Sequence, residues 1–278
     1  MLQVCQLIFP LFHVTVSKIL ITNGWNFDGK QETSEIVDLT IKGSNKCKNW
    51  PDFPIGVSGA VGGLIGNTVL ICGGHTSNKT YVDACHSLTS QKATLVTHMS
   101  VGRDNAASIV LSGTILWVTG GSNKDNVLAS TENVSIDGSM PGPNLLLAVE
   151  KHSIVAINST SSMVIGGSPA VCLHICSFST SSTFYYDHNK GNWFKGPSLM
   201  HPRHSHAAGI VTDEVTNENF VVVTGGSSSA KEMDSTEILQ DRKWLQGNCV
   251  KSSHFLEILY QHHYHNISKL VHNNSSYF

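Results

Sequence analysis

A glycine pair recurs down this chain behind short apolar runs: Val69-Leu-Ile-Cys-Gly73-Gly74, Leu116-Trp-Val-Thr-Gly120-Gly121, Ser162-Met-Val-Ile-Gly166-Gly167 and Val221-Val-Val-Thr-Gly225-Gly226. Ile19-Leu-Ile-Thr-Asn23-Gly24 is an imperfect fifth copy, with Asn in the first glycine slot. Successive pairs lie 50, 47, 46 and 59 residues apart. That is the period of a repeat that builds propeller blades. A second word keeps step with the first. Eleven residues after the second glycine position come Thr33-Ser34-Glu35, Ser130-Thr131-Glu132 and Ser235-Thr236-Glu237. After Gly74 the same offset reads Asp83-Ala84-Cys85, and after Gly167 the word Ser182-Thr183-Phe184 arrives late, behind an inserted stretch around Pro169 to Cys176.

Each apolar run is too short for three helical turns and is rich in β-branched residues, so it reads as a buried strand. Glycine then allows positive φ and close backbone approach where the strand ends. The polar stretch that follows has turn composition, and the Ser/Thr-Glu word opens the next strand.

These residues resemble the kelch repeat family. The fullest match runs Ser182-Thr-Phe-Tyr-Tyr186-Asp187, Trp193, Gly196-Pro197, Met200, Arg203, His206 and Gly225-Gly226, with Trp50 and Trp244 near the slot of Trp193. The resemblance covers about Lys18 to Trp244. It implies an all-β, kelch-type β-propeller of four to five recognisable blades, each a four-stranded antiparallel sheet, in an incomplete ring, with an indole packed between neighbouring blades. Departures are Asn23, Cys85 in place of the acidic residue, and Val149 in the arginine slot of Leu146-Leu-Ala-Val149-Glu150-Lys-His152, which reads as a degenerate loop. After Trp244 the pattern stops, so residues 249–278 read as a non-repeating tail and the chain as an incomplete or aberrantly ended propeller. An ordinary extension on a small ring is the alternative.

Residues 1–17 are apolar but lack a positive start, and Gln6, Pro10 and His13 interrupt them. They read as a secretory signal cut near Ser17, or alternatively as an extra blade strand belonging to the last sheet, and are too short and too interrupted for a membrane span. Residues 18–248 form the propeller. Of seven cysteines, Cys72 and Cys85 are the preferred bridge, although side-chain parity across that hairpin is open. Cys172 and Cys176 are candidates to close the inserted loop, and Cys47 and Cys249 remain alternatives. Asn78 and Asn158 are the glycosylation candidates in loops; Asn133, Asn266, Asn273 and Asn274 also head acceptor triplets. These signs favour an extracellular protein, with a cytoplasmic one as the alternative.

With 40% hydrophobic residues, 24 glycines and a net charge of −2, the chain can bury a core and shows no basic stripe for nucleic acid. Fifteen histidines are present. His201-Pro-Arg203-His204-Ser-His206 leads toward the channel mouth on the kelch pattern, which makes Arg203, Arg103 and His204 candidates for holding an anionic ligand. The alternative is that both arginines brace adjacent loops. His262, His263 and His265 have metal-ligand chemistry but sit in the tail, and no cofactor fingerprint or catalytic elbow is present. The expected function is therefore non-catalytic binding of a protein or glycan through the loops. Two other readings stand beside it. One is a kelch-fold enzyme, a carbohydrate-active oxidase or isomerase, for which Tyr185, Tyr186, His204 and Cys172 supply residue types. The other is an intracellular adaptor.

Overall fold

The computed structural model describes residues 11–14, 18–22, 25–26, 29–30, 33–38, 40, 47–169, 178–212, 216, 218–228 and 231–247. No helix occurs among them. Blade 1 holds β1 (Leu11–Val14), β2 (Lys18–Thr22), a small ribbon of β3 (Trp25–Asn26) with β4 (Gly29–Lys30), then β5 (Ser34–Asp38) and β6 (Cys47–Trp50). Blade 2 is β7 (Ser58–Ile65), β8 (Thr68–His75), β9 (Ala84–Leu88) and β10 (Ala93–His98). Blade 3 is β11 (Ala107–Leu111), β12 (Ile115–Thr119), β13 (Thr131–Ser135) and β14 (Gly138–Pro141). Blade 4 is β15 (Ser153–Asn158), β16 (Ser161–Ile165), β17 (Thr183–Asp187) and β18 (Asn192–Lys195). Blade 5 is β19 (Ala207–Thr212), β20 (Asn219–Thr224), a ribbon of β21 (Ser227–Ser228) with β22 (Lys231–Glu232), then β23 (Thr236–Gln240) and β24 (Lys243–Gln246).

Every blade is a four-stranded antiparallel meander in chain order. The first strands touch in succession, β1 to β7, β7 to β11, β11 to β15 and β15 to β19. Among the described residues no comparable contact joins β19 to β1. β1 lies inside the stretch read as a leader, and it pairs with β2 from Leu11↔Thr22 to Val14↔Ile19, so these residues supply the inner strand of the first blade rather than of the last.

The second strand of blades 2, 3 and 4 is buried on both faces, as its apolar run demands: β8 is buried from Leu70 to Gly74, and β12 and β16 from their second residue onward. Alternate residues face opposite neighbours. Ile71 and Leu88 meet Leu20 and Phe53 between blades 1 and 2, and Leu70 meets Leu116 and Val134 between blades 2 and 3. Trp117 and Phe184 fill the gap between blades 3 and 4. Met163, Val223 and Trp244 fill the one between blades 4 and 5. Each such side chain contributes roughly 1.5–3 kcal/mol.

The glycine pairs are where one blade seats on the next. Gly73 and Gly121 have φ of 75° and 89°. A Cβ on Gly73 would lie 2.6 Å from the Arg103 carbonyl oxygen of the following blade, and one on Gly121 would lie 2.5 Å from the Asp104 oxygen of its own. The amides of Gly74, Gly121 and Gly167 donate to the carbonyls of Arg103, Val149 and Arg203, each at 2.8 Å. No side chain fits there.

Blade 2 departs in register. Elsewhere the residue before the glycine pair faces the middle residue of the later word, as in Thr22↔Ser34, Thr119↔Thr131, Ile165↔Thr183 and Thr224↔Thr236. In blade 2 the pairing slips by one, so Cys72 faces Cys85. Their Cα atoms are 4.1 Å apart and the sulfurs are bonded, which settles the parity left open by sequence. Both are buried among Val61, Met99 and Val118. The loop closed spans 13 residues, so replacing both cysteines by alanine is expected to lower stability by about 3 kcal/mol. Urea unfolding of the double variant measures this, and an unshifted midpoint would refute it. Cys172 and Cys176 lie outside the described residues.

Candidate functional site

Two sets of loops gather at one end of the blades, because first and third strands run in the same direction. One set follows the glycine pairs, and the other leads into β7, β11, β15 and β19. The residues singled out by sequence lie here.

Arg103 and Arg203 do not face a ligand. They are 1% and 0% exposed. Arg103 Nη1 donates to the carbonyls of Gly120 and Ser130, both at 2.9 Å, and Nη2 donates to Ser130 Oγ and, at 2.6 Å, to Glu132 Oε1. Arg203 repeats the set on Gly225, Ser235 and Glu237, again with a 2.6 Å ion pair. Each glutamate then ties down the loop carrying its arginine: Ser100 N donates to Glu132 and Met200 N to Glu237, each at 2.6 Å. Burial opposes the Glu132 charge, but the Ser100 amide, Ser139 hydroxyl and Arg103 guanidinium outweigh it and hold the carboxyl below its ordinary range. These two arginines are braces.

Blades 2 and 4 replace the brace as a unit. In blade 4 Val149 stands in the arginine slot and Phe184 in the glutamate slot, and both join one apolar cluster. In blade 2 buried Val57 accompanies Cys85. The loop at Val149 is therefore not degenerate. Leu145 N donates to Ala129 O at 2.8 Å, as Met99 does to Asp83 O and Leu199 to Ser181 O.

At the mouth, Gly59, Asn105, Lys151 and Ser205 occupy one equivalent position in four blades, all at φ between 50° and 71°. Asn105 N donates to Gly59 O at 3.0 Å, Lys151 N to Asn105 O at 2.8 Å and Ser205 N to Lys151 O at 2.8 Å. The residues before them, Ser58, Asp104, Glu150 and His204, bridge to His75, Ser122, Ser168 and Ser227, the residues that follow the glycine pairs. Side chains extend this lattice sideways. His75 Nδ1 meets Asp104 Oδ2 at 2.6 Å, and Ser122 Oγ donates to Asp104 Oδ1 at 2.8 Å and approaches Glu150 Oε2. The Lys151 amine lies 3.9 Å from Glu150. Tyr81 stacks on His75, and burial, followed by the Asp104 and Glu150 charges, raises its hydroxyl pKa, so it stays a neutral donor.

His204 does reach the mouth, but it is 7% exposed, with Nδ1 on Ser205 Oγ at 3.1 Å. Burial, then the Lys151 charge, lowers its pKa. His152 and His206 sit one residue beyond the mouth position, sealed between blades. Thr119 Oγ1 gives its proton to Ala107 O and lies 2.9 Å from His152 Nε2, so that nitrogen carries the hydrogen. Burial pushes the pKa of both rings down to about 3, with Arg203, His152 and His204 adding to the effect at His206.

The remaining candidates scatter. Tyr185 packs between blades 4 and 5. Tyr186 packs between blades 3 and 4, its ring centroid 5.1 Å from Trp117 and 4.9 Å from Trp193. They and His204 do not converge, and Cys172 lies outside the described residues. Asn78 is exposed in a turn and Asn158 is exposed at the end of β15, leading into a turn, whereas Asn133 is inside β13. Among the described residues no three His, Cys, Asp or Glu side chains are placed to hold a metal, and no helix is long and apolar enough to cross a membrane. The histidines of the tail lie outside the described residues.

Sequence reading missed a shallow cleft of about 540 Å³ at this same end. Its walls are Lys79-Thr80-Tyr81 from blade 2, Ser100-Val101-Gly102 from the connection into blade 3, and Asn123-Lys124-Asp125 from blade 3. The turn composition around Lys79 and Lys124 was the available signal, but their meeting depends on how two blades seat.

No family model and no curated protein sequence matches the chain. Among solved structures, that of YjhT, a kelch-type β-propeller, superposes with a TM-score of 0.73 at 14% identity, covering 89% of this chain and 85% of that one. The fold is a kelch-type β-propeller.

Proposed function

We propose that this protein is a secreted binding module that holds a protein or glycan ligand with the loops at the mouth end of its propeller. One observation carries the reading. At that end the arginines and the mouth acids are committed to bonds within the scaffold and the inner histidines are buried, while the loops at 76–81 and 123–126 present exposed side chains, Lys79 and Lys124 among them. A scaffold so fixed keeps loops rigid, which lowers the entropy lost when a partner docks.

The disulfide in blade 2 supports an oxidising compartment. So does Asn158, whose Oδ1 accepts from Thr160 N at 2.9 Å and Thr160 Oγ1 at 3.0 Å, leading into an exposed turn suited to carry a glycan. Expressed in a eukaryotic secretory host, the protein is expected in the medium, with a gel shift on removal of N-glycans that shrinks in Asn158→Gln. Retention in the cytosol with no shift would overturn the extracellular assignment. Peptide and glycan arrays test binding. A ligand is expected that is lost when residues 76–80 become Gly/Ser and kept when the opposite-end hairpin 188–191 is so changed. Binding indifferent to both changes would refute the loop assignment.

A further inference from the structure

The geometry points to the cleft between blades 2 and 3 as a site for an extended acidic peptide segment. This rests on the binding-module reading and specifies its partner. Lys79 and Lys124, from adjacent blades, line the same cleft, are exposed, and make no ion pair among the described residues. Arg103, next to Gly102 in the chain, does not compete with them for an anion, because it is buried on Glu132.

The other walls add hydrogen-bond donors. Asn123 Oδ1 accepts from Asp125 N at 3.0 Å and Asn126 N at 2.9 Å, so the amino group is the side-chain capacity it has left. The Tyr81 hydroxyl is a neutral donor. Asp125 supplies a single negative charge against the two lysines.

The backbone favours a peptide over an acidic saccharide. The Ser100 amide is spent on Glu132. The amides and carbonyls of Val101 and Gly102, by contrast, have no hydrogen-bond partner among the described residues. Gly102 is pressed onto the preceding loop, where a Cβ would lie 2.5 Å from Tyr81 O. This short, unpaired bend of main chain can hydrogen-bond the backbone of an extended peptide while the flanking lysines take its carboxylates. A sugar ring offers no row of amides for that bend.

Fluorescence anisotropy with the full chain, its N-glycans removed, tests the site. The probes are a labelled Gly-Ser-Glu-Glu-Glu-Ser-Gly peptide, the same peptide with Lys in place of Glu, and a labelled oligogalacturonate. The Glu peptide is expected to bind, more weakly as salt is raised. Lys79→Gln/Lys124→Gln is expected to weaken it roughly tenfold, since two exposed charge contacts are lost. Lys190→Gln at the opposite end is expected to leave it unchanged. Equal binding of the Glu peptide to wild type and the double variant would overturn the cleft assignment and leave the binding module standing. Binding of the oligogalacturonate without the Glu peptide, or of the Lys peptide equally well, would overturn the partner class.

Discussion

Arg203→Ala is expected to destabilise the fold by about 3–5 kcal/mol, because it strands the Glu237 carboxylate at 0% exposure with its principal countercharge gone. It also releases the carbonyls of Gly225 and Ser235, which the guanidinium holds at 2.9 and 3.0 Å. Arg203→Val/Glu237→Phe, the combination blade 4 uses at Val149 and Phe184, is expected to recover at least half of that loss. An apolar pair carries no desolvation penalty, and blade 4 shows that the slot accommodates one. Urea unfolding of the single and double variants decides it. A double variant as unstable as Arg203→Ala would show that the glutamate's bonds to Met200 and His201, rather than the ion pair, hold this loop.

Acid is expected to act almost as strongly. His152 and His206 are held down to about 3 by burial, so the folded protein binds their protons far less readily than the unfolded chain does. A base whose pKa is lowered on folding contributes its full stability above its unfolded pKa, near 6.5, and loses it as pH falls from there toward the folded value. Each ring contributes a slope that approaches about 1.4 kcal/mol per pH unit, so the two together remove about 3 kcal/mol between pH ~6.5 and pH ~5. Glu132, held low, has the same sign in a more acidic window, below the ordinary carboxyl range. His206→Ala places in blade 5 the residue type that Ala60 and Ala106 provide at the equivalent slots. It is expected to halve the acid slope measured by denaturant unfolding at a series of pH values. A slope unchanged in that variant would show that His206 is already charged or exposed.

Much of the fold was legible because its determinants are local. The glycine pairs mark close approach between blades, and the buried second strands are written as continuous apolar runs. Bracing by Arg103 and Arg203 was legible as the alternative to ligand binding, but its partner Glu132 was not, because it sits 29 residues from Arg103 in a different word. A signal was nevertheless present: Val149 with Phe184, and Val57 with Cys85, depart together within one blade. The slipped register of blade 2 was out of reach, since a one-residue shift costs a hairpin little until packing selects the face. Leu11–Val14 was ambiguous for a similar reason, an apolar leader and an apolar inner strand having the same composition. The mouth lattice and the cleft draw on loops from two or three blades each. Only the seating of whole sheets brings Asp104, Ser122 and Glu150, or Lys79 and Lys124, into one place.

Amide hydrogen exchange at Asn105, Lys151 and Ser205 tests the radial arrangement most directly, because each of these amides donates only to the blade before it. All three lie in connections that an isolated sheet would leave open to water, so protection there requires neighbouring blades to be seated. Exchange slowed to the level of core-strand amides, against a fast Lys124 amide in the turn of blade 3, is the expected result. Fast exchange at all three, with the strands themselves protected, would mean sheets that form without fanning about a common axis.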